Sequence, residues 1–149
     1  LIEFKLKGIT KVVFGDIALV GLKEYRDNLL SKEGMTGVYP LWKQPTLKLI
    51  YEFLDLKFST TICCICTEFL TKDDVSQIID NKYIEKLNKS IDPCGENGEF
   101  HTFCWDGPIF ETPIQFTLGE KIFKPLQMPS DKEIRDDEGF WFCDLIPTT

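Results

Sequence analysis

Between Asp92 and Phe103 the chain reads DPCGENGEFHTF, and four of its side chains could move protons or hold a polar substrate. They are Glu96, Asn97, Glu99 and His101, the last being the only histidine among 149 residues. Carboxylates and imidazole take up and release protons near neutral pH, and a side-chain amide both donates and accepts. Gly95 and Gly98 are threaded between them, and glycine lets a backbone turn tightly or approach a ligand closely. The segment then runs into Phe100-His101-Thr102-Phe103-Cys104-Trp105, which is strand-like. In a strand successive side chains point to opposite faces, so His101 and Thr102 would not share a pocket; of the two, His101 is the candidate. The same letters also write an ordinary hairpin turn. Composition alone leaves a reactive pocket edge and a plain turn as alternatives.

The elements that must carry this loop follow from periodicity. Residues Ile9 to Phe14 form a short β-branched run ending at Gly15-Asp16, as a buried parallel strand would. Residues 18–32 carry Leu19, Leu22, Leu29 and Leu30 among charged neighbours, a helix with Gly34 as its stop. Thr36 to Tyr39 is a second strand closed by Pro40. Thr46 caps a helix through Lys57, with Leu47, Ile50, Phe53 and Leu54 along one stripe. Phe58 to Cys66 reads as a third strand. Strand, helix, strand, helix, strand at these lengths predicts a parallel sheet with helices packed on it. Beyond Cys66 the texture changes. Helical segments are expected from Thr71-Lys72-Asp73-Asp74 and around Tyr83 to Leu87, then proline-punctuated strands around Phe116 and Phe123 and a last strand over Gly139 to Ile146. A boundary is therefore expected near Thr67, between an α/β part over residues 1–66 and a smaller α+β part over 67–149.

The string from Asp92 to Phe110, DPCGENGEFHTFCWDGPIF, resembles the signature of the diphthine–ammonia ligase (diphthamide synthetase) family. Val12-Val13-Phe14-Gly15-Asp16-Ile17, Pro40-Leu41-Trp42 and Glu52-Phe53-Leu54-Asp55-Leu56 agree in order and spacing. The resemblance implies a Rossmann-like (HUP-type) fold of the ATP pyrophosphatase, or adenine nucleotide alpha-hydrolase, superfamily, present here as a sheet remnant. It implies an AMP-forming amide ligase that adenylates the carboxylate of diphthine, a modified histidine of elongation factor two, and lets ammonium supply the nitrogen. Activation of that kind divides one hard step into two easier ones. The expected ligands are ATP, with Mg2+ as its complex, ammonium and diphthine-bearing elongation factor two or another carboxylate acceptor. The resemblance puts Gly15, Asp16, Ile17 and Trp42 at the nucleotide and Glu96, Asn97, Glu99 and His101 at the chemistry. From the residues alone, Asp16 equally suits a helix cap and Trp42 a core position, and Arg26 either a phosphate contact or a solvated helix face.

One departure bears on activity. The family opens with a strand and a Ser-Gly-Gly-Lys-Asp-Ser loop that cradles the ATP phosphates, and residues 1–149 contain no such loop. The expectation is an incomplete chain, inactive by itself, that belongs to a catalytic whole. Two alternatives are an ATP pyrophosphatase-type enzyme with a different acceptor, and a binding module that never had the phosphate loop.

Composition narrows the classes further. The net charge is −7 and the pI about 4.8, which argues against a nucleic-acid surface, since that needs basic groups to neutralise phosphates. No apolar run approaches the roughly 18 residues of a membrane span, and signal-peptide architecture is absent from the sequence as given. The acidic residues Asp131, Glu133, Asp136, Asp137 and Glu138 read as a solvated run. Six cysteines are present; Cys63, Cys64 and Cys66 sit in an apolar stretch as small hydrophobes, no metal-ligand spacing appears, and Cys94 in the glycine loop is a candidate reactive thiol. Cysteine usage suits a reduced, cytoplasmic setting. Self-association into a homo-oligomer is left open.

Overall fold

The computed structural model describes residues 1–126 and 137–148; Asp131, Glu133 and Asp136 of the acidic run lie outside them. The chain divides into two compact units, Leu1–Pro45 and Thr46–Thr149.

In the first unit α1 (Ile2–Leu6) is a single exposed turn of helix, followed by β1 (Lys11–Val13), α2 (Val20–Ser31) and β2 (Thr36–Val38). β1 and β2 pair in parallel, with Lys11 opposite Thr36 and Val13 opposite Val38. A parallel pair needs a crossover, and α2 supplies it. The helix ends where expected: Gly34 takes φ +64°, and the Met35 N–H reaches back to the Leu30 carbonyl at 3.0 Å; Leu30, Met35 and Ile17 are each buried. Helix and strands fall within about two residues of the positions predicted from periodicity.

The second unit holds α3 (Thr46–Asp55), β3 (Ser59–Cys66), α4 (Asn81–Lys86), β4 (Phe100–Asp106), β5 (Phe116–Pro125) and β6 (Gly139–Pro147). Its sheet has the order β4-β3-β6-β5, and every pairing in it is antiparallel. Here the structure corrects the sequence reading. β3 was expected as the third strand of the parallel sheet; it instead lies between β4 and β6 in the antiparallel one. The protein is thus mixed α/β, with one parallel and one antiparallel sheet. The helix expected at Thr71 is a turn in which Asp74 accepts the Thr71 N–H and hydroxyl, both at 2.9 Å.

A bulge explains how β3 is buried. Ile62 lies opposite Thr102, but Cys64 lies opposite His101, so Cys63 is the extra residue. An added residue shifts the period-2 alternation by one. Ile62 and Ile65, three apart in sequence, therefore both face the core, and both are completely buried. That core gathers Ile50 from α3, Ile79, Ile84 from α4, Ile91 and Phe100, with Phe53 and Trp141 packed against it. Asp80 caps α4 by accepting the Tyr83 N–H at 2.7 Å.

Candidate functional site

The loop between α4 and β4 is built from two successive turns. The Gly95 N–H bonds to the Asp92 carbonyl at 3.0 Å and the Gly98 N–H to the Gly95 carbonyl at 3.2 Å. The Asp92 side chain reinforces the first by accepting the Cys94 N–H at 2.8 Å. Both glycines adopt positive φ, +73° at Gly95 and +85° at Gly98, the region only glycine enters at no cost. Their demands differ. A Cβ at Gly95 would stand 2.7 Å from the Phe100 carbonyl oxygen, whereas one at Gly98 would meet nothing within 4 Å.

Glu99 holds the loop together. Its side chain is buried, with 1% of the residue exposed. Oε1 accepts the Asp92 backbone N–H at 2.9 Å and the Asn97 side-chain amide at 3.0 Å, while Oε2 accepts the Asn97 backbone N–H at 2.9 Å. Burial works to raise the carboxyl, but the Asp92 N–H, the Asn97 amide and the further N–H donors outweigh it and hold Glu99 below the ordinary glutamate range. A carboxylate so depressed and so enclosed stays ionised at neutral pH. Asn97 turns one side of its chemistry inward to Glu99 yet remains exposed, and Glu96 is half-buried beside it.

The other candidates separate. His101 and Thr102 are both exposed but belong to opposite faces of β4: Thr102 lies across from Ile62 on the core face, and His101 across from Cys64 on the other. The structure therefore joins Asn97 and Glu99 directly and sets His101 on the sheet face away from the core. Cys94 is not a reactive thiol. It donates to the Thr46 carbonyl at 3.4 Å, and burial, with Asp92 and Glu96 nearby, pushes it up to about 12, so almost no thiolate exists at pH 7. All six cysteines are free.

The four residues assigned to a nucleotide belong to the first unit, where Asp16 and Trp42 take part in a polar–aromatic cluster. Asp16 forms an ion pair with Arg26, whose guanidinium also lies 4.5 Å from the centre of the Phe14 ring. Asp16 caps no helix, since Leu19 occupies that position without a side-chain cap. Phe14 stacks on Tyr39 with centroids 5.3 Å apart, and Trp42 meets Tyr39 edge-on at 6.1 Å. Tyr39 donates to Asp27 at 2.8 Å; burial and this carboxylate raise its phenol to about 12. Gly37 permits the arrangement, because a Cβ there would stand 2.7 Å from both the Asp27 carboxylate and the Tyr39 ring. Ile17 is buried and its carbonyl accepts the Lys43 N–H at 2.8 Å, leaving Gly15 exposed with open space above it. Arg26 and Lys23, the nearby cations, are paired with Asp16 and Asp27.

A buried carboxylate that shapes a glycine loop, with a second carboxylate and an amide on the rim, defines a domain that presents polar groups from a stable antiparallel sheet. Residues 45–129 match the family described as the diphthamide synthase C-terminal domain, and the chain belongs to that family. The match begins where the second compact unit begins and includes the whole loop. Over 100 residues the chain is 25% identical to the diphthine–ammonia ligase of Schizosaccharomyces pombe, an alignment covering 64% of this chain and 16% of that protein. The chain thus corresponds to about a sixth of the curated relative's length. Among the described residues no helix is long and apolar enough to cross a membrane.

Proposed function

We propose that this chain supplies the acceptor side of an ATP-dependent amide ligase that joins ammonia to the carboxylate of diphthine. The observation that carries the reading is the family match over residues 45–129, which places the loop with Glu96, Asn97 and Glu99 inside the matched domain. ATP, when bound, would activate the diphthine carboxylate as an acyl-adenylate with release of pyrophosphate, so that AMP becomes the leaving group. The residues of this chain then act on the acceptor and on the ammonium. The Glu96 carboxylate attracts an ammonium ion, or the trimethylammonio group of diphthine, and takes a proton from the attacking nitrogen. The Asn97 side chain, steadied by Glu99, offers its remaining hydrogen-bonding capacity to the acyl oxygen. His101 lies on the other face of β4 and contributes to docking the protein substrate rather than to proton transfer.

Residues 1–149 contain no Ser-Gly-Gly-Lys-Asp-Ser loop. On this reading AMP release requires a polypeptide that carries one, and the Rossmann-like, HUP-type identity of the nucleotide domain belongs to that polypeptide together with the parallel pair β1–β2. The reaction is cytoplasmic, where elongation factor two works. The test is to supply a polypeptide containing both parts with ATP, ammonium and diphthine-bearing elongation factor two. Conversion of the carboxylate to an amide, read by mass spectrometry, is the expected outcome. AMP formation with diphthine left unchanged would instead favour a different carboxylate acceptor.

A further inference from the structure

β4 stands at one end of the sheet order, and the direction of its backbone groups follows from its neighbour. Thr60 of β3 lies opposite Cys104, and Ile62 opposite Thr102. Both β3 residues direct their bonds to the other side. The Ile62 N–H reaches the Gln77 carbonyl at 2.9 Å, and the Ile62 and Thr60 carbonyls accept the Ser76 and Ile79 N–H groups at 2.8 and 3.1 Å. Residues directly opposite in an antiparallel pair exchange either both bonds or none. Thr102 and Cys104 therefore exchange none with β3, and their N–H and C=O groups point to the open edge of the sheet. Among the described residues no other backbone group takes them up. The open stretch is bounded. Gly95 approaches the Phe100 carbonyl so closely that a Cβ there would stand 2.7 Å from it, and the Ile114 N–H bonds to the Trp105 carbonyl at 2.8 Å.

An unpaired edge is a template for another strand, and native sheets guard theirs with charges, proline or bulges. The far edge of this sheet is guarded so: β5 carries Glu120, Lys121, Lys124 and Pro125, with a register shift between Leu118 and Lys121. β4 has no lysine, arginine, carboxylate or proline from Phe100 to Trp105.

Beside the open edge, on the face that Thr102 shares, lies a depression of about 170 Å³ open to solvent. Leu49, Phe53, Pro93, Cys94, Phe100 and Thr102 are among its walls. A space of about 150 Å³ holds a benzene ring, so one leucine or phenylalanine side chain fits. The charges that act on Cys94 are the Asp92 and Glu96 carboxylates, which makes the loop end of the edge acidic. Backbone groups in a row with a pocket at an alternate side-chain position are the means by which sheets take up extended peptides. We propose that the Thr102–Cys104 edge binds an extended segment of a partner protein as an added antiparallel strand, with an apolar side chain opposite Thr102 in the depression and basic residues C-terminal to it. The antiparallel sense continues every pairing in this sheet, and it brings the C-terminal end of the segment to the acidic loop. This inference does not depend on the amide-ligase reading.

The probe is the peptide acetyl-Thr-Val-Thr-Leu-Thr-Lys-Lys-amide, titrated into the full ¹⁵N-labelled chain. Saturable shifts are expected at the Thr102 and Cys104 amides, with slower hydrogen exchange at both. N-methylation of the peptide leucine and valine, which stand opposite Thr102 and Cys104, should weaken binding about tenfold. N-methylation of the threonine between them, whose N–H points away, should leave binding nearly unchanged. Replacing the two lysines by glutamates should weaken binding about fivefold at low salt. Absence of saturable shifts at Thr102 and Cys104, or equal losses from the two patterns of N-methylation, would overturn the proposal. Shifts at these amides that grow with protein concentration alone, with a dimer mass in light scattering, would assign the edge to a second copy and overturn it as well.

Discussion

Glu99 and Glu96 are three residues apart and carry the same group, yet their surroundings give them different work. Three hydrogen bonds from Asp92 and Asn97 converge on the buried Glu99 carboxylate, and hydrogen bonds to a charged group are the costly ones to lose. Glu99→Gln turns an acceptor into a donor facing N–H groups, and should destabilise the protein by about 1–3 kcal/mol at pH 7. The effect has a definite pH dependence. Because the folded-state value of Glu99 lies below its unfolded value, the unfolded chain binds the proton more readily, and stability from this group rises with pH. It is fully present above the ordinary glutamate value of about 4.3 and disappears as pH falls through the depressed folded value. Denaturant unfolding should therefore show the gap between Glu99→Gln and the unaltered protein closing below pH 4; a gap of constant size would remove Glu99 as the ionised organiser. Glu96→Gln should do the opposite, changing stability by no more than about 0.5 kcal/mol and slowing amide formation by about a hundredfold in the complete enzyme. Unchanged turnover would take Glu96 out of the chemistry. The letters of the loop announced its glycine turns. They did not say which carboxylate would be enclosed, because that depends on where the Asp92 and Asn97 N–H groups point after folding.

At the level of elements, sequence and structure agree where local signals decide and part where pairing does. α3 carries an amphipathic stripe, α2 sets leucines among charged residues, and β1 and β2 are short runs closed by glycine or proline; all four stand near their expected positions. β3 is different. Its run Thr60-Thr61-Ile62-Cys63-Cys64-Ile65 is continuously apolar or small, which is equally suited to a parallel strand buried on both faces and to a central antiparallel one. The bulge at Cys63 hides the distinction further by removing strict alternation. Only the long-range pairing with β4 and β6 settles it, and no local pattern encodes that. The loop entering β4 yields a comparison within one element. Gly95→Ala combines positive φ with a Cβ 2.7 Å from the Phe100 carbonyl, whereas Gly98→Ala combines positive φ with open space. The second should cost about 1 kcal/mol, the first clearly more, as the Phe100 backbone must shift. Thermal unfolding of the two variants distinguishes them, and equal losses would mean that the approach of Gly95 to Phe100 carries no constraint.

The molecule as a whole combines a small unit with a parallel pair of strands and a larger unit with its own core and an antiparallel sheet. Membership of the diphthamide synthase C-terminal domain family rests on the second, where the sequence had placed the chemistry. In the first unit Arg26 and Lys23 pair with Asp16 and Asp27. The acceptor-side role is the central claim. Its most direct test is transfer of ¹⁵N from labelled ammonium to diphthine on elongation factor two, by a polypeptide uniting these residues with a phosphate loop. The account predicts one labelled amide for each AMP released, and loss of label incorporation with Glu96→Gln. AMP released at full rate with no ¹⁵N in the factor would contradict it.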